Sequence, residues 1–185
     1  MSDYRINTNY AKALLMLSTE EGQAEAVFED MRLVGTVCKE NHEFCVVFAN
    51  PTLPVAKKQA IIEDLFKDRV TRLTLLFLAF VVKQKRSVNL RGISQSFMEQ
   101  YRKSHGIVFS EVTTAVEVDD ESLETLRRMV ADYTHKEVEQ VNRVDHRMLG
   151  GFRLMFDNNM YDARLRTKIR KLQQEFGKNI YESKL

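Results

Sequence analysis

Hydrophobic side chains recur every three or four residues through the first hundred positions of the chain, as on one face of an α-helix. The first such stripe consists of Tyr10, Leu14 and Leu17, and similar stripes follow in later segments. Residues 73–82 are apolar on nearly every side, which is typical of a helix that is surrounded by other helices. The pattern therefore predicts an amino-terminal bundle of five or six helices over residues 1–105.

The periodicity changes after residue 106, where the hydrophobic positions begin to alternate. β-Branched residues become frequent over residues 107–118, which predicts a strand. The acidic segment 119–124 suits the amino terminus of a helix, and residues 138–144 predict a second strand. A hairpin and a final helix follow, so we expect a small α/β unit over residues 106–185 in the order strand, helix, strand, hairpin, helix. The predicted fold class is thus mainly α, with a helical bundle followed by a small α/β domain.

A glycine pair, Gly150-Gly151, opens the predicted hairpin. Glycine is favoured where the chain bends or where another backbone approaches closely, so both residues indicate such a constraint. The strand that begins at Phe152 is expected to turn at Asn158-Asn159, because asparagine tolerates the positive φ angles of a two-residue hairpin turn. The sequence therefore predicts a tight hairpin between the second strand and the final helix.

The final predicted helix combines an apolar stripe with a dense group of positive charges. Its apolar positions are Leu165, Ile169, Leu172 and Phe176. Its bases fall on about three helical turns, and they are Arg164, Arg166, Lys168, Arg170 and Lys171. Cations at a helix amino terminus meet an unfavourable dipole, which an acidic partner surface would relieve. A solvated basic face is the competing interpretation, and it accounts equally well for each charge taken singly.

Composition agrees with a helical protein and restricts the class of partner. The 185 residues include only seven glycines and two prolines, so residues that break helices are scarce. The formal net charge of +2 is too balanced for a typical nucleic-acid binder. An RNA-binding module nevertheless stays as an alternative, since a basic helix beside a small α/β unit can contact phosphates. The sequence lacks the aromatic strand motif of RRM-type domains, which disfavours that alternative.

No set of residues in the sequence has the spacing of a catalytic or metal-binding motif. The four histidines show no H-x-x-x-H or H-E-x-x-H spacing, and Cys38 and Cys45 do not form a C-x-x-C pair. We therefore expect two reduced, buried cysteines, no metal, no cofactor and no enzymatic activity. The longest apolar run, residues 75–82, is far shorter than the ~20 residues that span a bilayer, so any membrane association should run through partners.

Three stretches of the chain follow a recognisable order. Residues 10–14 read Tyr-Ala-Lys-Ala-Leu, residues 77–86 begin with Phe-Leu in an apolar run and end in Lys-Arg, and residues 150–162 run from the glycine pair to an aspartate. These stretches resemble the first helix, the fifth helix and the carboxy-terminal signature of the delta subunit of F-type ATP synthases, called the oligomycin sensitivity conferring protein in mitochondria. The chain departs from that pattern at Arg164, where the family commonly has serine, and at residues 84–85, where Gln-Lys replaces a common Asn-Gly.

The resemblance implies a non-catalytic stator subunit of the rotary, proton-translocating ATP synthase, present once in the hetero-oligomeric complex. In this family the helical bundle binds the amino-terminal helix of an alpha subunit, and the carboxy-terminal part contacts the b subunits of the peripheral stalk. This linkage keeps the catalytic alpha/beta hexamer from turning with the central shaft. The resemblance also implies a peripheral position at the cytoplasmic face of the bacterial plasma membrane, with no insertion into the membrane and no binding of nucleic acid.

Two contact surfaces follow from these implications. An amphipathic helix is often recognised by an apolar groove, and we place this groove between the first and fifth helices. Its candidate residues are Tyr10, Leu14, Leu17, Leu75, Leu78, Ala79 and Val82. The candidate residues for stalk binding are Gly150, Gly151, Phe152, Arg164, Arg166, Ile169, Arg170, Lys171 and Leu172. Burial in the core is the competing interpretation for each groove residue, but a fifth helix that is apolar on every side has one face more than a small bundle needs.

Overall fold

The computed structural model describes residues 3–50, 52–157 and 159–178, which divide into two compact units between Ser104 and His105. The α-helices of the first unit are α1 (Asp3–Glu20), α2 (Ala24–Glu40), α3 (His42–Ala49), α4 (Val55–Phe66), α5 (Arg72–Lys83) and α6 (Leu90–His105). A 3₁₀ turn, Ser87–Asn89, leads into α6. The predicted bundle of five or six helices is confirmed, with six α-helices in the described part of this unit.

The core of the first unit draws on all six helices. Each helix contributes a side chain that is almost completely buried, among them Leu14, Met31, Phe48, Ile62, Leu78 and Phe97. Aromatic rings add to this packing, since Phe44 and Phe48 stack with ring centroids 4.3 Å apart and Phe28 stacks on Tyr101 at 4.4 Å. Burial of these apolar stripes accounts for the association of the helices.

Helix α1 is held against α6 by close packing and by polar contacts. A Cβ atom at Gly92 would lie 2.1 Å from Nδ2 of Asn7, so a larger residue there would displace the Asn7 side chain. The Gln100 side chain donates a hydrogen bond of 3.0 Å to the carbonyl of Thr8, and Asn89 donates one of 3.1 Å to Oδ1 of Asn7. These contacts fix one side of α1 and leave another side facing α5.

The second unit contains a four-stranded sheet and two helices. Its elements are β1 (Ile107–Thr114), α7 (Asp120–Thr134), β2 (Glu137–Val144), β3 (Phe152–Phe156), β4 (Asn159–Asp162) and α8 (Leu165–Lys178). The strand order is β2-β1-β3-β4, in which β1 and β2 are parallel and the other neighbours are antiparallel. The predicted order of strand, helix, strand, hairpin and helix is confirmed.

Helix α7 forms the crossover that the parallel strands β1 and β2 require, and it covers one face of the sheet. Val130 of this helix packs in a cluster with four strand residues, which are Val108, Val112, Val138 and Leu154. Its amino terminus is capped by Asp119, which accepts a hydrogen bond of 2.8 Å from the N–H of Ser122. That bond and one from the Ser122 hydroxyl lower the pKa of Asp119. The acidic segment thus starts the helix, as predicted.

The first strand is shorter than predicted. β1 ends at Thr114 rather than at residue 118, because its pairing with β2 stops where Thr114 meets Val144. The N–H of Asp145 then donates a hydrogen bond of 2.8 Å to the carbonyl of Thr114 and closes the ladder. Val116, which lies within the predicted strand, is exposed beyond the observed end of β1.

Asn159 lies in a strand and not in the predicted hairpin turn. It belongs to β4 and pairs with Phe156 of β3. The positive φ angle, 47°, belongs to Asp157, and Asn158 lies outside the described residues. The Asn-Asn pair therefore does not form the turn by itself, because Asp157 also tolerates the left-handed conformation.

Candidate functional site

An open, apolar groove of about 530 Å³ runs between α1 and α5. Its lining residues are Asn9, Tyr10, Ala13, Leu17, Leu73, Leu76, Phe77 and Phe80. The α5 residues recur at intervals of three and four, so they occupy a single face of that helix. A groove of this kind, formed by two helices and lined almost entirely by hydrophobic side chains, suits the apolar face of a third helix.

Helix α5 turns a different face to the groove from the one predicted. Four predicted residues do not line it: Leu75, Leu78, Ala79 and Val82. Leu78 and Val82 are buried in the core, whereas Leu76 and Phe80 line the groove with 59% and 48% of their surface exposed. A helix that is apolar on every side carries no pattern from which its rotation can be read, and this is why the sequence did not distinguish the face that lines the groove from the buried face. The exposure of Leu76 and Phe80 appears only once α5 is packed.

On the α1 side, the prediction and the structure differ at one residue. Tyr10 and Leu17 line the groove, whereas Leu14 is completely buried in the core. The Tyr10 ring reaches across to α5, with its centroid 6.5 Å from that of Phe77 and 6.2 Å from that of Phe80. Such aromatic contacts fix the separation of the two helices along the floor of the groove. The predicted stripe on α1 is therefore wide enough that Leu14, at one edge, enters the core while Tyr10 and Leu17, at the other, face the groove.

The glycine pair before β3 receives the start of α8. Gly151 has a φ angle of 80°, and a Cβ atom there would lie 2.3 Å from the carbonyl oxygen of Ala163. A Cβ atom on Gly150 would lie 2.5 Å from Cδ1 of Leu165, whose N–H donates a hydrogen bond of 3.0 Å to the Gly150 carbonyl. These residues allow a close backbone approach. Phe152, the next predicted stalk-binding residue, is half-buried and packs against the sheet core.

Arg164 is engaged within its own chain. Its Nε and Nη2 atoms donate hydrogen bonds of 2.9 Å and 2.6 Å to the two carboxylate oxygens of Asp162. The backbone N–H of Arg164 and the hydroxyl of Thr167 donate to the same carboxylate, at 3.0 Å and 3.1 Å. The Arg164 side chain, followed by these other donors, lowers the pKa of Asp162, and the pairing raises the pKa of Arg164. The structure thus gives Arg164 an intramolecular partner that the sequence did not indicate.

Helix α8 presents an apolar stripe that the described residues leave uncovered. Its four members, spaced by four, three and four positions, are all exposed: Leu165, Ile169, Leu172 and Phe176. Positive charges border the stripe, with Arg166 and Arg170 on one side and Lys168 and Lys171 on the other. Of the predicted stalk-binding residues, Arg166, Ile169, Arg170, Lys171 and Leu172 therefore share one continuous exposed surface.

A second groove in the same unit was not anticipated from the sequence. It has a volume of about 320 Å³ and lies between α7 and the β3–β4 hairpin. Its exposed apolar residues are Met129, Tyr133, Met160 and Tyr161. Tyr133 and Phe156 meet edge to face within it, with ring centroids 5.8 Å apart. Two of these residues stand one helical turn apart on α7, which is the only sequence signal that could have indicated the surface.

Shifted carboxylate pKa values in the described residues are explained by helix caps and ion pairs. The pKa of Glu124 is lowered to about 2 by the hydrogen bond from Arg127 and then by Arg128, one turn away on the exposed side of α7. None of the carboxylates with a lowered pKa lines either groove.

Over the described ranges, no group of three or more His, Cys, Asp or Glu residues is placed to hold a metal ion. Cys38 is buried, and the Cys45 side chain lies outside the description.

Crossing a lipid bilayer requires a helix of about 20 mostly apolar residues. Within residues 3–50, 52–157 and 159–178, no helix has both the length and the apolar character that such a crossing needs.

Comparison with known proteins gives a consistent result over nearly the whole chain. A family model described as ATP synthase delta (OSCP) subunit matches residues 6–176. The protein named ATP synthase subunit delta from Cytophaga hutchinsonii is 32% identical over 180 residues, which cover 97% of this chain and 98% of that protein. The protein of the same name from Flavobacterium johnsoniae is 30% identical, with 96% of this chain and 99% of that protein covered.

The fold also has a counterpart among solved structures. A chain in the cryo-EM structure of the Toxoplasma gondii mitochondrial ATP synthase hexamer superposes with a TM-score of 0.74 at 19% identity. The superposition covers 92% of this chain and 96% of that one, so both units have equivalents in the same order. The family match, the identity to the bacterial relatives and the shared fold agree with the resemblance noted in the sequence. The chain belongs to the ATP synthase delta (OSCP) subunit family.

Proposed function

We propose that the chain is a non-catalytic linker in the stator of a rotary ATP synthase, with one binding surface in each unit. The first unit holds the amino-terminal helix of an alpha subunit in the groove between α1 and α5. The second unit holds the b subunits of the peripheral stalk through α8. One copy per complex then ties the catalytic hexamer to the stalk, so that the hexamer resists turning with the central shaft.

The observation that carries this proposal is the groove between α1 and α5. Leu76 and Phe80 remain about half exposed on a helix whose other apolar positions are buried or half-buried, so the described residues leave much of this apolar face uncovered. An amphipathic helix could place residues at positions i, i+3 or i+4, and i+7 against these two side chains and Leu17. Removal of this apolar surface from water would supply the binding free energy.

The proposed stalk-binding surface of the second unit is supported by the combination of charge and apolar surface on α8. The stripe formed by Leu165, Ile169, Leu172 and Phe176 would pack against an apolar stripe of the stalk. The bases that border it favour a stalk segment with acidic residues at its edges, because opposite charges orient the partner and increase the association rate. The intramolecular pair of Arg164 with Asp162 lies at the start of this helix and sets its first turn.

No chemical step is required of the protein in this role, and its position follows from its partners. We propose a peripheral place at the cytoplasmic face of the bacterial plasma membrane, where the stalk and the hexamer hold the chain without any segment entering the bilayer. Mechanical linkage needs two firm contacts and a stable body between them. It needs no cofactor and no ionisable group poised in a cleft.

Helix binding in the groove between α1 and α5 can be tested by calorimetric titration. The full chain is titrated with a peptide of the first ~20 residues of the alpha subunit. We expect saturable binding whose affinity changes little with salt, since the groove lining is apolar. Absence of binding up to high micromolar peptide would refute the groove assignment. Binding of single-stranded RNA with affinity that falls linearly on a log–log plot against salt would favour the RNA-binding alternative instead.

A further inference from the structure

A buried carboxylate of α2 holds the amino terminus of α5. Asp30 is 8% exposed, and its Oδ2 atom accepts two hydrogen bonds from Thr71, one of 2.8 Å from the backbone N–H and one of 2.7 Å from the hydroxyl. Thr71 is the N-cap of α5, where its hydroxyl oxygen also accepts a hydrogen bond of 3.3 Å from the N–H of Thr74. A single residue of another helix therefore fixes the residue at which α5 begins.

This contact matters because the hydrophobic pattern of α5 does not specify how the helix is rotated. Every position from Leu75 to Val82 is apolar, so several rotations about the helix axis would bury similar surface. A shift of one residue in the start of a helix turns its faces by about 100°. Such a turn would move Leu76 and Phe80 away from the groove. A buried, directional polar contact distinguishes one rotation from the others where apolar packing cannot.

We propose that Asp30 is a positioning residue for the groove, which sets the rotation of α5 through Thr71 and so presents Leu76 and Phe80 to the docked helix. This inference rests on the proposed function of the groove as a helix-binding site. Asp30 itself has no place in the groove lining, so its effect on binding must pass through the orientation of α5. The anchor acts at the end of α5 nearest Leu73, which is the first α5 residue of the groove.

Two substitutions separate positioning from simple stabilisation. Asp30→Ala removes the acceptor and releases the cap, whereas Asp30→Asn keeps an amide oxygen that can accept both hydrogen bonds from Thr71. The matched control is Ile93→Ala, which opens a cavity at a fully buried position of α6 and lowers the thermal midpoint without touching the Asp30–Thr71 contact. All measurements are made well below the thermal midpoint of each variant.

The first readout is the affinity of the full chain for the alpha-subunit peptide. We expect Asp30→Ala to weaken binding by about tenfold or more, because the binding-competent rotation becomes a minor population. Asp30→Asn should restore affinity to within about threefold of the wild type, and Ile93→Ala should leave it unchanged. Wild-type affinity in a folded Asp30→Ala variant would overturn the inference and leave the proposed function intact.

The second readout does not depend on any partner. The Tyr10 and Phe80 rings, 6.2 Å apart between centroids, should give nuclear Overhauser contacts in the wild type and in Ile93→Ala but lose them in Asp30→Ala. If the wild type fails to bind the peptide, the proposed function fails, and this ring contact still decides the role of Asp30. If Asp30→Ala does not fold, Thr71→Val replaces it, since it removes the hydroxyl and keeps the backbone donor. Retention of the ring contact in a folded variant would contradict the inference.

Discussion

The guanidinium group of Arg164 donates hydrogen bonds to both carboxylate oxygens of Asp162, of 2.9 Å from Nε and 2.6 Å from Nη2. Asp162 is the last residue of β4 and Arg164 directly precedes α8, so the pair fixes the direction in which α8 leaves the sheet. The Thr167 hydroxyl joins the same carboxylate from the first turn of the helix. Asp162 therefore organises the amino terminus of α8, and the stripe that begins at Leu165 depends on it.

This pair predicts a specific dependence of stability on pH. The pKa of Asp162 is lower in the folded chain than in the unfolded chain, because its carboxylate accepts hydrogen bonds from Arg164. Its contribution to the free energy of unfolding is therefore fully present above the unfolded pKa of about 3.9, and it is lost as the pH falls towards the folded pKa. Asp162→Asn should reduce stability at neutral pH and have little effect once Asp162 is protonated. Urea unfolding of both proteins across the acid range measures this, and a difference that persists unchanged at the lowest pH would exclude it.

Replacement of Gly151 should be far more damaging than replacement of a second glycine in the same unit. Gly151→Ala combines a φ angle of 80° with a Cβ position 2.3 Å from a backbone oxygen, so the chain between β4 and α8 must move. Gly106→Ala has a similar φ angle of 67° but nothing within 4 Å of the new Cβ. We expect a cost of about 1–2 kcal/mol for Gly106→Ala from backbone strain alone, and a clearly larger loss for Gly151→Ala. Equal losses in urea unfolding would show that the contact with Ala163 is unimportant.

A charge placed in the groove should weaken binding of the alpha-subunit peptide. Leu76→Glu puts a carboxylate where an apolar anchor is proposed, so affinity should fall by about tenfold or more. The matched control is Leu65→Glu on α4, which alters an exposed leucine outside the groove and should change affinity by less than about twofold. Calorimetric titration of the full-length variants provides the comparison. Equal affinities for the two variants would place the peptide elsewhere on the bundle.

Reversal of the charges beside the α8 stripe should weaken binding of a stalk fragment, mainly at low salt. The triple variant Arg166→Glu, Arg170→Glu and Lys171→Glu turns attraction for an acidic segment into repulsion, which slows association. The control reverses three other exposed bases of the same unit, Arg128, Lys136 and Arg147, and so has the same net charge. Association rates measured against ionic strength distinguish them. If both triple variants behave alike, net charge and not the α8 surface governs the interaction.

The sequence predicted the order and type of the elements because their hydrophobic periods are clear. The amphipathic stripe of α1 and the alternation in β1 each have one apolar face, which determines both the element and its orientation. The end of β1 was placed too late, because Val116 and Val118 continue the alternation after the pairing partner β2 has ended. Strand length in a sheet depends on the neighbouring strand, and this information is absent from a local pattern.

The candidate surfaces were predictable to different degrees for the same reason. On α8 the apolar stripe and the bases are separated around the helix, so Ile169 and Leu172 could be assigned to one face from spacing alone. The exposure of that face is known only from the structure. On α5 no such separation exists, and the residues that reach the groove could not be distinguished from those in the core. The pairing of Arg164 with Asp162 was also not predicted, because it requires knowledge of how the chain turns after β4.

The route by which load would cross the molecule follows from the position of β1. A pull on a helix bound beside α1, as proposed, would pass to the 3₁₀ turn through Asn89 and to α6 through Gln100, and α6 continues through Gly106 into β1. β1 is an inner strand, hydrogen-bonded to β2 on one side and β3 on the other. Tension that enters a sheet along such a strand must shear two ladders at once, whereas an edge strand would peel away from one. The covalent connection between the two units thus leads into β1, the kind of strand that is hardest to pull out of a sheet.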